Sequence, residues 1–243
     1  MSKKVQNPNQ SSSAGFIWAI VAVVVIAAVV IGIFVYNSRS EKAEALAENM
    51  TPVEGVAMEY NKEEGTIHLI AEDGAEDLPS GSVFEDFSCV YCAELSQATD
   101  ADMLEKIQEG KLQAEIRPLN FLDRGSEGNS TKILAAALAI ADSGDAEAYW
   151  NFRDTMMAQQ AEVYNKWSNE EFADLAKNFG VESKTVDAII NGDYLEEAKS
   201  VGQVNYDFLD RETGSVSSPR VLVDGEDLEG EKMQNWVNET ALP

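Results

Sequence analysis

Two cysteines in a CxxC spacing are the residues of this chain best suited to chemistry. Cys89 and Cys92 are its only cysteines, and Val90 and Tyr91 separate them. A strand pattern precedes the pair and a helical pattern follows it, which places the first sulfur at a helix N-terminus, where unpaired N–H groups and the helix dipole stabilise a thiolate. The spacing therefore predicts a disulfide-exchange site, in which Cys89 is the exposed nucleophile and Cys92, about one turn on, is the buried resolving thiol.

Other interpretations of the pair explain less. A structural zinc site needs about four ligands, usually Cys and His, and the chain has one histidine, His68. A structural disulfide over two intervening residues closes a tiny loop and removes little entropy from the unfolded chain. Haem attachment requires a His after the second Cys, where Ala93 stands. We expect no metal and no cofactor beyond a redox-active Cys89–Cys92 disulfide.

The elements around the cysteines predict an α/β domain. Strand patterns at residues 55–60, 65–70 and 82–87 lead up to Cys89, and a helical pattern at 92–108 leads to a further strand at 112–117. The order strand, CxxC-led helix, strand is a βαβ unit, in which the cysteines lie where the first strand passes into the helix.

A long helical segment separates this unit from the end of the chain. Residues 130–209 carry five helical patterns and little strand signal, and their Met, Trp and Phe positions indicate core packing. A strand at 220–223 and a helix at 229–240 then complete a domain predicted to span residues 55–243.

Charge and hydropathy restrict location and partners. The chain has 43 acidic and 18 basic residues, a formal net charge of −25, which disfavours nucleic-acid binding.

Residues 16–36 form an unbroken apolar run of membrane-spanning length. The run is longer than the apolar core of a cleaved signal peptide and lacks the small-residue cleavage pattern of one. These features predict a single-pass anchor, with a cytoplasmic tail at 1–15 and a linker at 37–54.

At this point the sequence resembles the DsbA-like thiol oxidoreductases, which have a thioredoxin fold with an inserted helical subdomain. The resemblance is carried by the segment FEDFSCVYC at 84–92, by 112–123 with its RPL and FLD motifs, by the helical stretch at 130–209 and by SSPRVLVDG at 217–225. It is greatest for membrane-tethered members from actinobacteria. The resemblance implies a thioredoxin-like fold with a helical insertion, here preceded by one transmembrane helix.

The resemblance also implies roles for residues near the cysteines. Cys89 matches the attacking cysteine and Cys92 the resolving one. Ser218-Pro219 matches a loop that, in the family, contains a cis-proline, lies beside the disulfide and pairs with substrate backbone. Together with Val90 and Tyr91, this loop is expected to form the substrate-binding part of the site.

Departures from the family pattern affect the expected strength of the oxidant. Val90-Tyr91 stands where strongly oxidising members have Pro-His, so no imidazole stabilises the thiolate and the disulfide should be less oxidising. Val83 stands where many relatives have a buried acid. Glu85 and Asp86 lie nearby, and either carboxylate would raise the pKa of the attacking thiol if it pointed at the site, whereas a solvent-facing carboxylate would not.

Together these features predict an extracytoplasmic thiol–disulfide oxidoreductase, anchored in the cell membrane with its N-terminus inside. It would form or exchange disulfides in secreted or cell-envelope proteins that contain cysteines, and a membrane redox partner would regenerate the Cys89–Cys92 disulfide. Two alternatives remain open: a membrane-tethered reductase or isomerase, and a non-enzymatic module that uses the thioredoxin scaffold for binding.

Overall fold

The chain divides into two compact units, with the boundary between Lys42 and Ala43. The computed structural model describes residues 13–75 and 77–243. Most of the predicted cytoplasmic tail, as far as residue 12, lies outside the described residues.

The first helix, α1, extends from Ser13 to Ala47 and contains the apolar run predicted as an anchor at 16–36. Several of its apolar side chains are exposed, among them Trp18 and Val23. In the described part of the chain, no helix is long and apolar enough to cross a membrane. The transmembrane helix of the predicted fold is therefore not supported by the structure and stays a prediction.

The segment predicted as a linker, 37–54, is helical as far as Ala47. Its residues 41–47 read EKAEALA, all good helix formers, so propensity continues α1 into this region. Ala43 is buried, and Leu46 and Ala47 pack against the core of the second unit. Further on, the Thr51 backbone N–H donates to Asn151 Oδ1 at 2.7 Å. Residues 43–54 of the predicted linker thus belong to the second unit.

A six-stranded sheet forms the centre of the second unit, in the order β1-β2-β4-β3-β5-β6. The strands are β1 Val56–Asn61, β2 Thr66–Ala71, β3 Ser80–Asp86, β4 Gln113–Leu119, β5 Arg220–Val223 and β6 Glu226–Asp227. β3 and β4 are parallel and the other neighbours are antiparallel. The helix α2, Val90–Gln108, connects β3 to β4, which confirms the predicted βαβ unit.

Six helices form the insertion between β4 and β5. They are α3 Asn129–Asp142, α4 Ala146–Ala158, α5 Gln160–Val163, α6 Asn169–Asn178, α7 Ser183–Asn191 and α8 Leu195–Thr213. The segment predicted as the insertion, 130–209, is thus mostly helical. The predicted C-terminal helix at 229–240 is instead two short helices, α9 Glu231–Gln234 and α10 Trp236–Thr240. The sequence analysis did not predict β6, because a strand of two residues shows no hydrophobic periodicity.

A buried ion triad joins the sheet, the CxxC helix and the insertion. Arg153 on α4 is 1% exposed and donates to both oxygens of Glu85 on β3, through Nε at 2.7 Å and Nη2 at 2.6 Å. Its Nη1 donates to Asp100 Oδ2 on α2 at 2.5 Å, and the Ser96 hydroxyl donates to the same oxygen. Because Glu85 stands four residues before Cys89, the triad fixes the strand end that carries the cysteines.

We expect Arg153→Met to destabilise the protein by about 3–5 kcal/mol, because it leaves two buried carboxylates without a counter-charge. The exposed Arg211 on α8 provides the control: Arg211→Met should change the free energy of unfolding by about 0.5 kcal/mol or less. Denaturant unfolding followed by tryptophan fluorescence measures both. Equal effects of the two substitutions would contradict this role of the triad.

Candidate active site

Cys89 lies at the junction between β3 and α2, as the N-cap residue of α2. Its backbone is extended, its N–H donates to Asp86 O at 2.9 Å, and its carbonyl accepts from Cys92 N and Ala93 N at 3.1 and 3.2 Å. The backbone N–H groups of Tyr91 and Cys92, in the first turn of the helix, lie close enough to the Cys89 sulfur to lower its pKa. The expected position of the first sulfur, at a helix N-terminus after a strand, is the observed one.

The Cys89 side chain is less accessible than the sequence suggests. It was expected to be exposed, yet the residue is only 8% exposed, because its Sγ lies under the Ser218 carbonyl, to which it donates at 3.3 Å. Cys92 is 2% exposed, as expected for a resolving thiol. Both are free thiols, so the structure shows the reduced form.

The two thiols differ in acidity. A hydrogen bond from the Cys92 thiol is the largest cause of the lowered pKa of Cys89. The Ser218 side chain and the backbone N–H groups of residues 91 and 92 lower this pKa further. Burial of the sulfur has the opposite effect, and the net result is a pKa of about 6. Burial and the neighbouring Cys89 raise the pKa of the Cys92 thiol well above its ordinary value. At neutral pH the nucleophile is therefore ionised while the resolving thiol keeps its proton.

The loop between α8 and β5 closes the site from the sheet side. The Ser218–Pro219 peptide bond is cis, as the resemblance implied. Its position places the Ser218 carbonyl on Cys89. The buried Ser218 hydroxyl makes no well-formed hydrogen bond among the described residues, yet it lies close enough to both sulfurs to lower the pKa of each thiol. This hydroxyl is therefore available to donate to whichever sulfur is ionised.

Asp86 supports the cysteine loop without directing its charge at a sulfur. Its backbone N–H lies 3.5 Å from Cys92 Sγ. Its carboxylate accepts from Ser88 N at 2.9 Å, from the Ser130 hydroxyl at 2.5 Å and from Leu122 N at 3.2 Å. Burial raises the pKa of Asp86 to about 6 despite these bonds.

Glu85 is also turned away from the thiols. Both Glu85 and Asp86 are buried, at 2% and 0% exposure, so neither faces solvent. Glu85 is paired with Arg153, and burial raises the pKa of its carboxyl. The two residues predicted as modulators of the Cys89 pKa thus act on the position of the loop, since each carboxylate is bonded to other groups.

The two residues between the cysteines face outward. Val90 is 63% exposed and Tyr91 is 69% exposed, so the start of α2 presents an apolar surface next to Cys89. With Ser218-Pro219 on the other side, the residues expected to contact substrate are brought together around the sulfur.

The sequence analysis missed the side chains that hold the cysteine loop from the insertion. Gln160 Nε2 donates to the carbonyls of Phe87 at 3.0 Å and Cys89 at 2.9 Å. Arg153, described above, is the second such residue. An arginine within the aromatic- and methionine-rich segment AYWNFRDTMM of α4 was the available signal for a buried charge. Nothing in the sequence distinguishes Gln160 from a surface glutamine.

No metal arrangement accompanies the cysteines in the described residues: no group of three or more His, Cys, Asp and Glu side chains is placed to hold an ion. His68 lies on β2, and its Nε2 is 2.9 Å from Gln113 Oε1. The site that the structure assembles is therefore made of two thiols, a helix N-terminus and the Ser218-Pro219 loop.

We expect alkylation of the reduced protein by iodoacetamide to rise with pH through a midpoint near 6, because only the Cys89 thiolate reacts. Cys89→Ser should abolish this reaction at pH 7. Cys92→Ala should move the midpoint upwards, since it removes the hydrogen bond that most lowers the Cys89 pKa. A wild-type midpoint near ~8.5, the ordinary value for a thiol, would contradict the account of the site.

Comparison with known proteins agrees with this geometry. Residues 79–239 match the thioredoxin family. The thiol-disulfide oxidoreductase MdbA from Corynebacterium diphtheriae is 38% identical, with a TM-score of 0.75 over 79% of this chain and 97% of that chain. MdbA from Corynebacterium matruchotii is 34% identical, with a TM-score of 0.78 over 82% of this chain and 98% of that one.

More distant structures share the fold. Reduced DsbA from Mycobacterium tuberculosis is 23% identical, with a TM-score of 0.57 over 72% of this chain and 92% of that chain. No match was found among curated protein sequences.

The fold, the paired thiols and the similarity to the two MdbA proteins lead to one conclusion: the chain belongs to the thioredoxin family and is a DsbA-like thiol–disulfide oxidoreductase.

Proposed function

We propose that this protein works as an oxidase, which introduces or exchanges disulfides in secreted or cell-envelope proteins outside the cytoplasm. The observation that carries the proposal is the acidity of Cys89, whose pKa is lowered to about 6. A thiol that is a stable thiolate at neutral pH is a good leaving group, which favours release of the disulfide to a substrate.

The proposed reaction begins with the Cys89–Cys92 disulfide. A substrate thiolate attacks Cys89 Sγ, a mixed disulfide forms, and the bond to Cys92 breaks. Cys92 leaves as a thiolate and takes up a proton, because its pKa is high. A second substrate thiolate attacks the substrate sulfur of the mixed disulfide and releases Cys89 as a thiolate.

The electrons and protons of this reaction define what the partner that regenerates the disulfide must accept. Two substrate thiols are oxidised to one disulfide, and the enzyme disulfide accepts the two electrons. Of the two substrate protons, one goes to Cys92 and one to solvent. A membrane redox partner that removes two electrons and the Cys92 proton then restores the Cys89–Cys92 disulfide. We propose that no metal or other cofactor takes part.

The strength of the oxidant is expected to be intermediate. The Cys89 pKa of about 6 lies between the pKa of the reactive thiol of thioredoxin, ~7, and that of DsbA, ~3.5. The outward-facing Val90 and Tyr91 add no positive charge to strengthen the thiolate. An intermediate potential also suits an isomerase, which is the second candidate function.

The location outside the cytoplasm is supported by the sequence. Residues 16–36 are uniformly apolar, and exposed apolar side chains such as Ile17, Val24 and Ile26 would be covered by lipid. Disulfide donation also requires an oxidising compartment. We therefore propose a single-pass anchor, N-terminus inside, that holds the thioredoxin-like unit at the outer side of the membrane.

For the purified protein, we expect a reduction potential in the range ~ −120 to −180 mV, together with catalysis of disulfide formation in a reduced, unfolded secreted protein. Cys89→Ala should remove the activity completely. Cys92→Ala should accumulate mixed disulfides with substrate, because the resolving thiol is absent. A potential near ~ −270 mV, without oxidative refolding activity, would instead assign the protein as a reductase.

For the protein in cells, we expect the mature chain to retain residues 1–36 and to stay in the membrane fraction after an alkaline carbonate wash. A fusion of alkaline phosphatase after Pro243 should be active, because that reporter folds only where disulfides form. A mature chain that begins after Tyr36, or one that the wash releases, would show that the apolar run is not an anchor.

A further inference from the structure

The segment that carries the reactive cysteine, residues 85–89, is hydrogen-bonded along its whole length to the helical insertion. Among the described residues, four side chains of the insertion provide these bonds: Asn129, Ser130, Arg153 and Gln160. The first three bind side chains of the segment, whereas Gln160 binds its backbone. The geometry of the cysteine loop therefore depends on side chains that lie 41 to 73 residues further along the chain.

Gln160, the first residue of α5, has an amide group that spans two backbone carbonyls of the loop. Its Nε2 donates to the Phe87 carbonyl at 3.0 Å and to the Cys89 carbonyl at 2.9 Å. A side-chain amide carries two N–H donors, so one amide group can serve both carbonyls. If the amide were turned over, its oxygen would face two carbonyl oxygens, so the two partners fix its orientation. These bonds hold residues 87 and 89 in place relative to each other and to the insertion.

The Cys89 carbonyl is shared between Gln160 and the first turn of α2. It accepts from Cys92 N at 3.1 Å and from Ala93 N at 3.2 Å, in addition to Gln160 Nε2. A carbonyl oxygen has two lone pairs, so three donors cannot all form full bonds with it. The N–H of Cys92 also lies close enough to the Cys89 sulfur to lower the pKa of that thiol. The amide of Gln160 therefore satisfies the carbonyl and leaves the Cys92 N–H free to turn towards the sulfur.

Hydrogen-bond donors are the groups that favour the Cys89 thiolate most. Val90 and Tyr91, which separate the cysteines, carry no positive charge. The pKa of Cys89 is lowered by the Cys92 thiol, by the Ser218 side chain and by the backbone N–H groups of residues 91 and 92. Three of these four groups belong to the first turn of α2, whose capping carbonyl Gln160 binds. A small rotation of that turn would therefore change the acidity of the thiol.

We propose that Gln160 is a positioning residue, through which the helical insertion holds the first turn of α2 in the conformation that stabilises the Cys89 thiolate. It acts through the carbonyls of the loop and the turn that they cap. The acidity of the thiol, and with it the oxidising power of the disulfide, then depends on the insertion as well as on the two residues between the cysteines. This dependence holds for either direction of thiol–disulfide exchange.

Four substitutions separate this role from simple packing. Gln160→Met keeps the length of the side chain and removes both donors. Gln160→Glu keeps its shape, but a carboxylate cannot donate and brings a negative charge towards the loop carbonyls. Gln160→Lys provides three donors and a positive charge. Gln159→Met is the matched control, because Gln159 is also partly buried and its side chain forms no capping bond with α5.

The measurement is the pH midpoint of iodoacetamide alkylation of the reduced, purified full-length protein, together with its equilibrium with glutathione. Gln160→Met should raise the midpoint by about one unit, which is a tenfold smaller ionisation constant of Cys89. Gln160→Glu should raise it further, whereas Gln160→Lys should keep it at or below the wild-type value. Gln159→Met should leave it unchanged.

The glutathione equilibrium provides an independent readout of the same effect. At pH 8, Gln160→Met should shift it about tenfold towards the enzyme disulfide, because the reduced form has lost thiolate stabilisation. A tenfold change is equivalent to ~30 mV for a two-electron couple. Gln159→Met should again match the wild type.

A purely structural role of Gln160 predicts a different pattern. Loss of packing would lower the stability of the oxidised and reduced forms equally and leave the alkylation midpoint in place. That result overturns the proposal, and so does a Gln160→Lys variant whose midpoint rises as far as that of Gln160→Met. If circular dichroism shows that Gln160→Met is unfolded, Gln160→Glu and Gln160→Lys decide.

The wild-type midpoint separates this proposal from the proposed function. A wild-type midpoint near ~8.5, the ordinary value for a thiol, contradicts both, because Cys89 would then have no unusual acidity to explain. A wild-type midpoint near 6 that every Gln160 variant keeps contradicts the role of Gln160 alone.

Discussion

The Cys89 sulfur is held at the N-terminus of α2, and the stability of its thiolate determines what the disulfide can do. The cap position brings the N–H groups of the first helical turn close to the sulfur, and Cys92 and Ser218 add side-chain contacts. Burial works against the charge, because a thiolate under the Ser218-Pro219 loop loses water contacts. The hydrogen-bond donors lower the pKa of Cys89 by more than burial raises it, so this pKa falls to about 6.

Much of the remaining architecture serves to keep that sulfur in place. Arg153 binds Glu85 and Asp100, and so joins the end of β3 to α2 and α4. Gln160 holds the loop carbonyls, and the Asp86 carboxylate gathers N–H and O–H groups from three segments. The helical insertion is thus a support for the cysteine loop.

Periodic and local features could be predicted from the sequence, and features that depend on long-range packing could not. The βαβ unit, the helical insertion and the paired cysteines at a helix start follow from hydrophobic periodicity and spacing. The buried state of Cys89 depends on a loop 129 residues away, so no local pattern shows it. Glu85 and Asp86 were placed near the site correctly, but their partners Arg153 and Ser130 come from the insertion, and the direction of each carboxylate depends on those partners.

The stability difference between the reduced and oxidised protein, followed from pH 5 to 8.5, tests the central claim most directly. Only the reduced form has a Cys89 thiol, and its folded-state pKa, about 6, lies below that of an unfolded thiol. The thiolate therefore stabilises the reduced fold progressively as pH rises above 6, and this stabilisation is lost as pH falls through 6. We predict that the free energy of unfolding of the reduced form gains on the order of 2 kcal/mol relative to the oxidised form between pH 6 and 8.5. A difference that stays constant over this range would contradict the account.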